Sequence, residues 1–121
     1  MPNEWIVKQG NTAIQDVLII DKDGNAVTNL ASAEEIKFQV KKNKTDTTAW
    51  IEKTKTDGIS VLTGDDLGKL RITLNPEDTE IAVEKYFCGL QIKFDANTVY
   101  EVNLTVDGRE TDIFRIEQDI V

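Results

Sequence analysis

Leu70-Arg71-Ile72-Thr73-Leu74 alternates apolar and polar residues, and Asn75-Pro76-Glu77-Asp78-Thr79 breaks the alternation. Tyr86-Phe87-Cys88-Gly89-Leu90-Gln91-Ile92-Lys93-Phe94 then resumes extended chain. Period-two alternation marks a strand that buries one face, and a Pro-centred polar run marks a corner. Asn75 is positioned to cap one short helical turn over Pro76–Ile81, with proline at the favoured first helical position.

The same signal repeats on both sides of this stretch. Ile36, Phe38 and Val40 alternate with Lys37, Gln39 and Lys41, which predicts a half-buried strand. Further strands are expected at 4–9, 12–20, 48–53, 59–62, 67–74, 87–94, 99–106 and 113–116. Asp23-Gly24, Asp57-Gly58, Gly64-Asp65 and Asp107-Gly108 supply turns between them. The 12–20 run is apolar on both sides, with Ile14, Leu18 and Ile20 on one and Val17 and Ile19 on the other. That pattern predicts a central strand or one covered by a neighbour. Ala31–Glu35 could begin a helix, but the alternation from Ile36 ends it. Eight to ten short strands with no long helical periodicity predict an all-β, two-sheet antiparallel β-sandwich. No repeat, low-complexity tract or linker interrupts the chain, so residues 1–121 are read as one domain.

Composition narrows the function. The chain carries 14 basic and 22 acidic residues, a net charge of −8, which argues against a nucleic-acid partner. Lys37, Lys41, Lys42 and Lys44 cluster locally and read as the solvated edge of a hairpin, with a phosphate site as the lesser possibility. No apolar run reaches a membrane span, and no signal peptide is expected from the first residues. Cys88 is the only cysteine and the chain has no histidine. An internal disulfide is therefore impossible, a reducing compartment is expected, and the commonest general base and metal ligand are missing.

Candidate chemistry is sparse. Asp21, Asp23 and Asn25 are spaced like the first ligands of a calcium loop, but the glycine falls too early and Ser32 stands where the closing glutamate belongs. A hairpin turn explains them better. Asp65-Asp66 and Asp78 with Glu80 could form carboxylate pairs, yet acidic turn residues are common and nothing aromatic adjoins them. Cys88 without histidine is a poor nucleophile. No catalytic residue, cofactor or metal is expected, and a small-molecule ligand is not.

Taken in order, the motifs resemble a known family. A first strand ends in Lys8-Gln9-Gly10-Asn11-Thr12, and an apolar strand leads to Asp21-Lys22-Asp23-Gly24. Leu30 precedes Ile36-Lys37-Phe38-Gln39-Val40-Lys41-Lys42, and Leu70 to Thr79 and Tyr86 to Gln91 follow, then Val99-Tyr100. This layout resembles the small immunoglobulin-like sandwich domains of tailed-phage structural proteins, including the N-terminal domain of upper baseplate proteins. It departs from them at Ala31-Ser32, where Thr-Gly is usual, and at Glu84-Lys85, where Pro-Gly is usual. Tyr86-x-Cys88 also resembles the tyrosine corner of antibody-type domains, whose hydroxyl bonds back to nearby backbone.

The resemblance implies a virion protein (baseplate, tail, neck or capsid surface), folded in the host cytoplasm. Its partners would be other virion proteins and copies of itself. A carbohydrate- or receptor-binding module on the same fold is the alternative. Trp50 and Tyr86 are expected as core anchors and Trp5 as an interface residue. Apolar residues crowd both terminal runs, so Trp5, Ile6, Val7, Ile113, Phe114, Ile116, Ile120 and Val121 are the interface candidates.

Overall fold

The structure, a computed structural model, describes residues 4–20, 23–102, 104–106 and 109–118. It is all-β. Strands β1 (Trp5–Lys8) and β2 (Ala13–Leu18) open the chain. β3 (Glu35–Lys41), β4 (Ile51–Lys55), β5 (Gly58–Val61) and β6 (Lys69–Leu74) follow. After them come β7 (Lys85–Asp95), β8 (Thr98–Val102), β9 (Leu104–Val106), β10 (Arg109–Thr111) and β11 (Ile113–Glu117). Ladder pairing runs β1-β11-β7-β3-β4-β5-β6-β2, with β8 beside β7 and β9–β10 as a separate hairpin. The sheet curls until it nearly closes into a barrel around one core.

Most pairings are antiparallel, but β1–β11 and β4–β5 are parallel. The second is a corner. Thr56 (φ 72°) and Gly58 (φ 95°) adopt left-handed backbone between β4 and β5. Asp57 N donates to Thr54 O at 2.9 Å, and Thr54 N donates to Asp57 O at 3.0 Å. The kink carries the chain from its partner β3 to its next partner β6, as strands do where one layer turns into another. A Cβ on residue 58 would run into the Lys53 stem, so glycine is needed there twice over.

Period-two burial follows the sequence where alternation is strict. Ile36, Phe38 and Val40 on β3, Leu70, Ile72 and Leu74 on β6, and Leu90 and Ile92 on β7 are all buried. Tyr86 is buried, and its hydroxyl donates to Ala82 O at 2.8 Å. The 75–84 segment that delivers it is strapped down. Thr79 Oγ1 donates to Asn11 O at 2.8 Å, and Gln9 Nε2 donates to Ile81 O at 2.9 Å.

Several expectations need correction. No helical turn forms over Pro76–Ile81. Residues 76–79 make a hydrogen-bonded turn, and the expected cap runs backwards: Asn75 N donates to Asp78 Oδ2 at 2.7 Å. The two short 3-10 turns lie at Leu30–Ser32 and Gly64–Asp66. Trp50 precedes β4 and is 56% exposed, whereas Trp5 is 5% exposed. The two tryptophans thus exchange their expected roles. Trp5 lies against Phe38 (centroids 5.7 Å apart) and edge-on to Phe114 (5.2 Å), a core that exists only because β1 pairs with β11. Trp50 meets Tyr86 from outside, at 6.3 Å.

Candidate interaction surfaces

The terminal strands were expected to present an interface. β1 and β11 lie side by side in the register Trp5↔Phe114 and Val7↔Ile116. Trp5, Val7, Phe114 and Ile116 all turn inward and are buried, so these four close the core and offer no surface on this chain. The outward set keeps Ile6, 50% exposed, and Ile113, partly buried. Between them Arg115 holds Glu4 with two hydrogen bonds of 2.7 and 2.8 Å, which holds the Glu4 carboxyl below its ordinary range. Ile120 and Val121 lie outside the described residues.

A different apolar row is exposed. β2 ends the ladder path rather than sitting within it, contrary to the expectation of a central or covered strand. Val17 and Ile19 enter the core, while Ile14, Leu18 and Ile20 are 58%, 41% and 44% exposed. Beside them Arg71 of β6 clasps Asp16 with bonds of 2.8 and 3.1 Å, and the Asp16 carboxyl is held below its ordinary range by that pair. The sequence signal was present as two-sided apolarity, but which side found a cover depends on the position of β2 in the sheet.

The third surface is a groove on the outer face of β3 and β7, enclosing about 480 Å³. β3 is paired with β7 along its length and with β4 from Lys37 to Val40, so the hairpin-edge reading does not hold for Lys37, whereas Lys41 is paired with β7 alone. Outward residues meet in rows: Lys37↔Gln91, Gln39↔Gly89 and Lys41↔Phe87. The central row lacks a side chain at Gly89, and nothing lies within 4 Å of where its Cβ would be. The far side of that row is also open. β8 pairs with β7 from Leu90 onward and β11 pairs with it up to Phe87. Between them the chain leaves for the β9–β10 hairpin, and Cys88 N donates across to Asp112 O at 2.8 Å.

The groove is charged asymmetrically. Lys37 and Lys41 stand on the β3 side, and Glu101 and Asp112 on the other. Lys37 pairs with Glu35 at 3.1 Å. Lys44 crosses to Asp112, and that bond holds the Asp112 carboxyl below its ordinary range. Lys41 has no ion pair among the described residues. Lys44 and Lys85 sit 5.1 and 5.3 Å from the Phe87 ring centre. Cys88 is buried, and burial pushes its thiol up to about 12.

Among the described residues no cluster of three His, Cys, Asp or Glu side chains could hold a metal ion. Asp21, the first residue of the calcium-like spacing, lies outside them. Asp78, one of the carboxylates considered for catalysis, is engaged by Lys53 at 2.8 Å. No helix among the described residues is long and apolar enough to cross a membrane. A comparison with known protein families finds no matching family, and a comparison with curated proteins finds no match.

Proposed function

We propose that this chain is an immunoglobulin-like sandwich domain that helps build a tailed-phage particle through protein–protein contacts. The contact-making part of the reading is carried by one observation: the row Ile14, Leu18 and Ile20 is left uncovered by the chain's own fold. Exposed apolar rows of this kind mark surfaces that partners cover. The phage setting, with assembly into a virion after folding in the host cytoplasm, rests on the ordered motif layout from Lys8 to Tyr100. Other virion proteins and copies of this chain are the proposed partners, and no catalytic step is assigned.

The immunoglobulin-like part draws support from the strand order. If the Thr56–Gly58 corner divides the path, β1, β11, β7, β3 and β4 form one layer and β5, β6 and β2 the other. The first strand parallel to the last, and the Tyr86 hydroxyl bonded four residues back to Ala82 O, fit that arrangement.

The second reading, a carbohydrate-binding module, has the amides of Gln39 and Gln91 and the carboxylates of Glu101 and Asp112 in its favour. Against it, the Phe87 ring carries two ammonium groups and is no free stacking platform. Titration with neutral oligosaccharides separates the two: saturable binding that Gln39→Ala abolishes would favour the module. The contact reading is tested by particle composition, with the chain expected as a stoichiometric component of purified particles and its absence from them counting against the reading.

A further inference from the structure

We propose that the groove over Gly89 receives a carboxylate carried by an extended segment of a partner protein. This rests on the reading of the chain as a contact-making domain and names the partner chemistry of one of its surfaces. Lys37 stands where β3 is paired on both sides and Lys41 where it is paired with β7 alone, so edge protection does not account for both. Their placement points to another role. Lys37 and Lys41 occupy the rows on either side of the Gln39–Gly89 row. A carboxylate lowered over Gly89 would therefore lie one row from Lys41, and one row on the other side from Lys37, which Glu35 already engages at 3.1 Å.

Glycine in a strand interior loses packing and often marks a place where another backbone approaches closely. Here the missing side chain and the interrupted strand beside it make one continuous trough. The amides of Gln39 and Gln91 can donate to a ligand, although Gln39 Nε2 is at present bonded to Glu52 at 2.7 Å. Among the described residues Lys41 is an ammonium with no ion-pair partner to give up. The opposite wall limits what enters. Glu101, with Asp112 already engaged by Lys44, would disfavour a phosphate chain or an anionic lipid surface, but it can accept a hydrogen bond from a backbone N–H of a peptide. A single carboxylate on an extended backbone satisfies both walls.

The test uses the whole chain and a capped peptide, acetyl-Gly-Ser-Glu-Ser-Gly-amide, followed by amide chemical shifts. Saturable shifts centred on Gly89, Gln91 and Lys41 are expected. The Gln-for-Glu peptide should bind about tenfold more weakly, the loss expected when a charge-assisted contact becomes neutral. Lys41→Gln should weaken the Glu peptide by about the same factor. Gly89→Val should abolish binding by filling the trough, and a strand interior tolerates valine. If Gly89→Val fails to fold, Lys41→Gln alone decides. Equal binding of both peptides, no shifts up to about 10 mM, or full binding to either folded variant would overturn the proposal. So would acetate binding as tightly as the peptide, which would make this a free-anion site, or preferential binding of an oligonucleotide. None of these outcomes bears on the Ile14–Ile20 row, so failure here is distinguishable from failure of the contact-making reading.

Discussion

Lys53 Nζ lies 2.8 Å from Asp78 Oδ2, joining the inward face of β4 to the segment that leads into β7. The two side chains keep only 10% and 22% of their surface, so each charge depends on the other. Asp78 also accepts from Asn75 N, which makes it the fixed end of the pair.

Removing one partner should therefore cost more than the pair is worth. Asp78→Ala is expected to lose about 2–3 kcal/mol, under the ~3–5 kcal/mol of fully buried pairs because Asp78 still touches water. Lys53→Met combined with Asp78→Ala should lose less than the two single changes added. Urea melts of the three variants measure this, and strict additivity would contradict the coupling.

The exchange of roles between the tryptophans predicts opposite mutational outcomes. Trp5→Ala removes a ring packed between Phe38 and Phe114 and should cost about 3–5 kcal/mol. Ile72→Ala, at a fully buried site, should cost about 2–5 kcal/mol. Trp50→Ala should cost clearly less than either, since over half of that side chain is already in water. A Trp50→Ala loss equal to that of Trp5→Ala would mean the core has been assigned wrongly. Deleting 2–6 should unfold the domain for the same reason.

Acid should destabilise this protein through three named carboxyls. Arg115 holds Glu4 below its ordinary value of 4.5, and Arg71 and Lys44 hold Asp16 and Asp112 below 3.8. A carboxyl whose folded value is depressed binds protons more tightly when unfolded. Its contribution is complete above the unfolded value and disappears as pH falls through the folded one. The chain has no histidine, so Tm should hold nearly level from pH 5 to 7 and drop below about pH 4.5. Arg115→Gln should lower Tm at pH 7 and narrow its gap to the parent at pH 3. A gap independent of pH would contradict the role given to Glu4.

Cys88 should behave as packing. Burial raises its thiol to about 12, leaving almost no thiolate at neutral pH. A thiol reagent should label the native protein at the rate of global unfolding and the urea-unfolded protein at once. Rapid labelling of the native state would show that the gap beside Gly89 opens to the sulfur.

Much of the fold was legible because alternation is local. Phe38, Ile72 and Leu90 could be placed inside from their immediate neighbours alone. The roles of Trp5 and Trp50 could not, because the first depends on a strand 109 residues away, as the Lys8–Glu117 hydrogen bond illustrates. Asn75-Pro76 carried a helix-start signal, but the Asp78 side chain took the Asn75 N–H and closed a turn. The groove was least legible. It arises where β8 and β11 share one edge of β7 and leave a space between them, which no local pattern encodes. The hairpin-edge expectation fails for Lys37, which is paired on both sides, since a strand's neighbours are not written in its own residues.

The central claim is that the chain works through apolar surface its fold leaves open, and Ile14 and Leu18 test it most directly. Ile14→Lys with Leu18→Lys should leave stability within about 1 kcal/mol, because both side chains already face solvent. The measurement is the amount of this double variant, relative to the parent chain, recovered in purified phage particles. The account predicts a folded variant that is lost from particles or sharply depleted in them. A variant incorporated as fully as the parent would contradict it.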